Sequence, residues 1–401
     1  MINLKQLLIG SGIGLLATTG VEAGDLPIAP EPIDYVRVCD AFGAGYYYIP
    51  GTDTCLALRG RVRAEMRYYD NDFAPRWRDF NSTGFRARGY VYMDSRTNTE
   101  FGLLRAYNEI WITHDSVLPF SSTGGSSTRI DLWNSLIQFG GFTFGKTGSF
   151  YDFGNYATWA FMFTPSESSQ RQFVAAYTFA AGNGVSSSLS VESTETRRYG
   201  IAGYTPGYGG TKYPDLIANV RIDQGWGSAQ LSGALHQVWP GYDATGATPG
   251  SEVGWGLNAG VVLNLPFAGA KFNLTGAYTQ GAVHYASSDI TTPLDGGDAT
   301  WNPVTGDLDL ATAWSVSGGL GFNFSPTVEA AIQAGYLNYE DGDNALNDFK
   351  NYDLQGNIGW KPVSGLLIGT EVNYRYVDAA SGSGIDDGGL WAAAFRVQRT
   401  F

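Results

Sequence analysis

The sequence predicts an all-β chain, a 16-stranded antiparallel transmembrane β-barrel with an inward-folded third loop. Three observations carry this. Beyond residue 56, segments of about ten residues alternate apolar or aromatic with polar side chains, the pattern of a strand with lipid on one side and a lumen on the other. Clusters of Gly, Pro, Asp, Asn and Ser separate these segments, and short and long separations alternate. Charged residues make up only 16% of the 401-residue chain, while Gly (54), Tyr (24), Phe (22) and Trp (11) are abundant. No apolar run after Ala23 reaches the ~18 residues of a membrane helix.

The N-terminus sets the compartment. Residues 1–23 carry Lys5, an apolar stretch from Leu7 to Leu16 and the closing Val21-Glu22-Ala23. This reads as a secretory signal peptide, too short to span a bilayer. Within it, Gly12-Ile13-Gly14-Leu15-Leu16-Ala17 mimics a dinucleotide-binding fingerprint. No strand precedes it and export removes it, so no cofactor is expected. The formal net charge of −13 argues against a nucleic-acid partner.

Residues 24–55 form an N-terminal segment, periplasmic or lumenal, with the two cysteines Cys39 and Cys55. In an oxidising compartment a disulfide would close a loop of about 15 residues and contribute ~3 kcal/mol. The alternative is a pair of buried free thiols. The three histidines, His114, His236 and His284, lie far from this pair in sequence, so no metal site is expected.

Residues 56–401 are the barrel. The alternation places strands at 56–69, 83–95, 100–113, 128–139, 141–147, 171–181, 185–195, 214–223, 226–239, 252–265, 269–284, 311–324, 326–340, 350–361, 365–378 and 389–401. The count is even, as bacterial single-chain barrels require. Tight connections at 264–268, 324–326 and 361–365 read as periplasmic turns. Long ones at 196–213, 240–251, 285–310 and 341–349 read as external loops. Their acids, such as Glu340-Asp341-Gly342-Asp343, fit no EF-hand spacing. They read as solvated faces, open to divalent bridging with surface lipopolysaccharide.

The first strand puts Arg59, Arg61, Arg63, Glu65 and Arg67 on one face, and Leu58, Gly60, Val62, Ala64, Met66 and Tyr68 on the other. Arg86 and Arg88 continue the row on the second strand, and Arg105 with Glu109 on the third. An arginine facing lipid at mid-bilayer costs ~2–4 kcal/mol, so this row faces a wet interior as a basic pore wall. The alternative is neutralisation by Glu65, Asp94 and Glu109, which the arginines outnumber. The stretch 145–167 is long, aromatic and poor in charge, and would make a poor solvent-facing loop. Folded inward it narrows the channel, with Asp152 and Glu167 turned toward the arginines. An aromatic track for sugars and plain packing are the other readings.

In the last segment Trp391, Ala393, Phe395, Val397, Arg399 and Phe401 point to lipid, and Ala392, Ala394, Arg396, Gln398 and Thr400 to the lumen. Arg399 lies close enough to the end to snorkel to the interface. No nucleophile–base arrangement surrounds any histidine, so no catalytic residues are expected and an outer-membrane enzyme is not the reading.

Three stretches carry a resemblance. Tyr35 to Leu56, with its Cys39 and Cys55, is similar to the N-terminal motif of the alphaproteobacterial porins of Rhizobiales and Brucella. Gln138-Phe139-Gly140-Gly141-Phe142-Thr143-Phe144-Gly145-Lys146-Thr147-Gly148-Ser149-Phe150 resembles their strand into the third loop, and Gln398-Arg399-Thr400-Phe401 their ending. The resemblance implies a homotrimer in the outer membrane of a Gram-negative bacterium. It implies passive diffusion of small hydrophilic solutes and ions past a third-loop eyelet. Asp152 and Glu167 would sit on that constriction loop, facing the arginine wall. In such barrels a terminal phenylalanine is read by the barrel assembly machinery, a role Phe401 would take. A sugar- or anion-selective channel on the same barrel is the alternative.

Overall fold

The computed structural model describes residues 37–72, 81–117, 125–154, 156–290, 296–384 and 386–401. The expected signal peptide, 1–23, lies outside them. Among the described residues sixteen strands form one closed antiparallel barrel, numbered here β1 (Cys55–Asn71), β2 (Thr83–Thr99), β3 (Gly102–Asp115), β4 (Ser127–Phe139), β5 (Phe142–Gly148), β6 (Arg171–Gly182), β7 (Val185–Glu192) and β8 (Asp215–Gln224). They continue as β9 (Gly227–Val238), β10 (Glu252–Asn264), β11 (Lys271–Gln280), β12 (Thr312–Ser325), β13 (Val328–Glu340), β14 (Phe349–Trp360), β15 (Leu366–Ala379) and β16 (Gly388–Thr400). Each pairs with its sequence neighbour, and β16 returns to β1, with Phe395 opposite Met66 and Arg396 opposite Glu65. Closure leaves no sheet edge to face hydrocarbon.

Burial is inverted relative to a water-soluble domain. Val62, Met66, Leu231, Leu257 and Leu354 are exposed on the outside, while Gln172, Asn258, Gln333, Gln355 and Asn373 are buried inside. That is the division a lipid exterior and an aqueous interior demand. Outward rings couple across neighbouring strands near the long-loop rim: Trp314 with Tyr336, Tyr336 with Tyr352 and Tyr374 with Trp391, at centroid distances of 4.9, 5.1 and 4.3 Å. They form part of an interfacial girdle.

The terminal residue lies at the short-turn rim. The Gly60 N–H donates to the Phe401 carbonyl at 2.8 Å and the Phe401 N–H to the Gly60 carbonyl at 3.0 Å. A Cβ on Gly60 would lie 2.5 Å from the Phe401 ring, so the glycine makes the seat for that ring. At the same rim Tyr47–Tyr48 pairs with Leu56 and Cys55, and the Cys39–Cys55 disulfide is formed. The free-thiol alternative is thereby removed. The Tyr46 hydroxyl donates to Asp94 at 2.9 Å, tucking this segment against the inner wall.

Two expectations change. The segment expected as one strand over 269–284 ends at Gln280, and Val283–Tyr285 coils into a buried 3-10 turn. The long loops are also more than solvated faces. Ile201–Ala202 runs parallel to Ala299–Trp301, which pairs antiparallel with Leu308–Leu310. Ile201, Val238, Ala299 and Leu308 form an apolar cluster around this small sheet.

Candidate pore constriction

Strand alternation and register bring the predicted arginines to one inner wall. Arg61 lies opposite Tyr90, Arg63 opposite Arg88, Glu65 opposite Arg86, and Arg105 opposite both Arg96 and Gln138. Three carboxylates take most of them. Glu65 binds Arg67, and it binds Arg63 at 3.8 Å and Arg396 at 2.6 Å. Asp94 holds Arg96 and Arg105, each at 2.8 Å. Asp115 holds Arg86 at 2.5 Å and Arg129 at 2.9 Å.

Glu109 instead accepts from the neutral donors Trp111 Nε1 and Asn134 Nδ2, each at 2.7 Å. Among the described residues Arg59, Arg61 and Arg88 have no carboxylate partner. Aromatic rings hold them: Arg59 lies 5.6 Å from Tyr46, Arg61 4.8 Å from Tyr90 and Arg88 4.6 Å from Trp111. The sequence reading left Arg96, Arg129, Arg171 and Arg396 out of this wall. Alternation places Arg396 in the lumen, but its pairing with Glu65 depends on barrel closure.

The loop between β5 and β6 folds into the barrel and is tied by its backbone to the far wall. Trp159 and Phe161 N–H groups donate to Glu371 at 2.6 and 3.0 Å, and the Ala157 N–H to Gln333 at 2.9 Å. The Phe150 carbonyl accepts from Asn219 at 2.6 Å, and the Phe163 carbonyl from Gln355 at 3.0 Å. Inward glycines make the trough in which it lies. A Cβ on Gly260 would fall 2.3 Å from the Phe153 ring, and one on Gly369 2.7 Å from Trp159. Because the Gly260 contact is to a side chain only, Gly260→Leu is expected to spare the barrel and unseat Phe153. Single-channel conductance would then rise; an unchanged value would show that the ring has no part in the constriction.

Asp152 and Glu167 lie on this loop, but they do not face the arginine row. The fully buried Arg197 donates to Asp152 at 2.8 Å, and the Gln170 N–H donates to it at 2.6 Å. Glu167 is buried beside Ser317 on β12, and burial together with the Asp152 charge pushes its pKa up to about 8. Both causes favour its neutral form. The reason for the difference is a nearer counter-ion: Arg197, from the next long loop, captures Asp152 before the arginine row can.

What the loop offers the arginines is aromatic. Arg396 lies 4.5 Å from the Trp159 ring and Arg67 5.4 Å from Phe161. On the short-turn side of Trp159 a cavity of about 660 Å³ opens between Arg61, Arg63 and Arg396 and the Glu329–Lys361 pair. Charged side chains thus line open space, not lipid.

A sequence model of the Porin subfamily matches residues 25–394. Porin Omp2b of Brucella suis is 28% identical over 415 residues, covering all of both chains. The outer membrane channel DcaP of Acinetobacter baumannii superposes with a TM-score of 0.68 at 16% identity, over 88% of this chain and 99% of that one. The trimer form of OmpT from Vibrio cholerae gives 0.50 at 12%, over 87% and 100%.

Proposed function

The chain belongs to the porin subfamily, outer-membrane barrels through which small hydrophilic solutes and ions diffuse passively, and we propose that its passage runs between the arginine wall and loop 149–170 in a homotrimer. The observation that carries the route is the anchoring of the loop. Its backbone is bonded to β8 and β13–β15, so the inner face of β1–β4 is left to bound the open side. Arg59, Arg61, Arg63, Arg67, Arg86, Arg88 and Arg105 are the pore wall in this reading, and Asp152 and Glu167 fix the loop from beneath. A sugar track fits less well, since stacking needs bare ring faces and those of Trp159 and Phe161 already meet guanidiniums.

The trimer is supported by the outward side of β1–β4, where Ala64, Ala87 and the hydrogen-bonded pair His114–Thr128 (2.8 Å) leave a small and partly polar patch among the exposed Met66, Phe85, Ile112 and Ile130. Such a patch suits protein contact better than lipid. The described part of the N-terminal segment, residues 37–55, narrows the periplasmic mouth, Phe401 serves the barrel assembly machinery, and lipopolysaccharide adjoins the long-loop rim. Planar-bilayer recording of the purified protein tests the reading. Discrete openings with closures in groups of three are expected. An inserted but silent barrel would overturn the pore, and uniformly single closures would overturn the trimer.

A further inference from the structure

One band of the inner wall is built differently from the rest. Arg88 lies 4.6 Å from the Trp111 ring, Trp111 stacks on Trp133 at 3.7 Å and 15°, and Arg171, the first residue of β6, lies 4.3 Å from Trp133. Tyr90 meets Trp111 edge-on at 5.0 Å and carries Arg61 at 4.8 Å. Cation, rings and cation thus run side by side across β1 to β6.

A register shift makes this possible. Glu109 pairs with Asn134 but Ile110 pairs with Leu132, so Trp133 is the extra residue of a bulge and can turn inward beside Asn134. An ion pair cancels a charge at a distance, whereas a ring face orients a guanidinium and leaves its full positive charge in place. The Nε groups of Arg61 and Arg171 are buried without an acceptor. Glu109 accepts from Trp111 and Asn134 within this band, Asp131 opposite Trp111 is paired with Arg129, and Asp152 on the facing loop is paired with Arg197, which among the described residues leaves three ring-held guanidiniums without a carboxylate of their own.

We propose that this ring-braced band is a transit site for small oxyanions, carboxylate or phosphate, and that it makes the channel prefer anions although the chain as a whole is acidic. The Arg88 Nε donates to the Thr113 hydroxyl at 2.8 Å, so its terminal N–H groups, with those of Arg61 and Arg171, are the donors that carboxylate and phosphate oxygens meet in succession, each contact strong enough to attract and single enough to release. The net charge of −13 does not decide the matter. Fields are set locally in a narrow passage, and acids on distant loops are screened within about 10 Å at moderate salt.

The proposal rests on the pore reading, and one experiment separates the two. Full-length protein in a planar bilayer is exposed to a potassium chloride gradient, and inorganic phosphate is then added. The expected zero-current potential has the sign of chloride permeation, and phosphate shortens or blocks openings. The double variant Arg88→Gln/Arg171→Gln should reduce the anion-to-cation permeability ratio by about tenfold, while Arg88→Lys/Arg171→Lys retains the preference. Channels that conduct but prefer potassium, or a preference unchanged in the glutamine variant, would overturn the site and leave the pore intact. Absence of any current would overturn both.

Discussion

Glu65→Ala is expected to destabilise the barrel by about 3–5 kcal/mol, the cost of stripping a buried ion cluster of its one acid. Glu65 is fully buried at the seam where the first strand meets the last, and it accepts from Arg67 on its own strand and Arg396 on β16. Removing the carboxylate leaves those two guanidiniums, with Arg63 nearby, in like-charge contact. The backbone ladder between β1 and β16 remains, so the barrel should still close. Its midpoint in a urea titration in detergent should fall, and Arg396→Ala should cost less because Arg67 still satisfies the acid. An unchanged midpoint would mean that water already screens the cluster.

The second large effect is expected at Glu371. Its carboxylate is buried on β15, where it accepts the Trp159 and Phe161 N–H groups while Asn357 and Asn373 donate to it from the wall. Glu371→Ala leaves two loop N–H groups without an acceptor, at about 1–3 kcal/mol each. Each 1.4 kcal/mol is about tenfold in the ratio of detached to seated loop. The tethers at Gln333 and Gln355 persist, so the loop should fluctuate rather than leave. Single-channel records should show higher mean conductance and more open-channel noise, with unfolding little affected. A quiet, wild-type record would show that Glu371 does not hold the constriction.

The strands were the most legible part of this chain because one physical demand, lipid outside and water inside, writes itself every second residue. All sixteen expected segments overlap a barrel strand. The arginine row was legible for the same reason: hydrocarbon rejects it. Partners were harder to read. Glu371 lies 212 positions from Trp159, and nothing local marks it as an anchor. The glycines at 260 and 369 look like ordinary strand glycines until the loop is laid over them. The Trp133 bulge breaks alternation by one residue within a strand whose ends still obey it, so a reading by period passes over it. Arg197 stood in a polar loop with no periodicity to give it a direction, and it decided where Asp152 points.

The miniature sheet over the barrel mouth has a bearing on anything that must identify this protein from outside. Its three strands come from two excursions far apart in the chain that meet side by side in the folded barrel. An antibody or phage tail-fibre landing there would bind a composite epitope. No excised peptide would reproduce it, and changing either excursion would alter the shape presented by both.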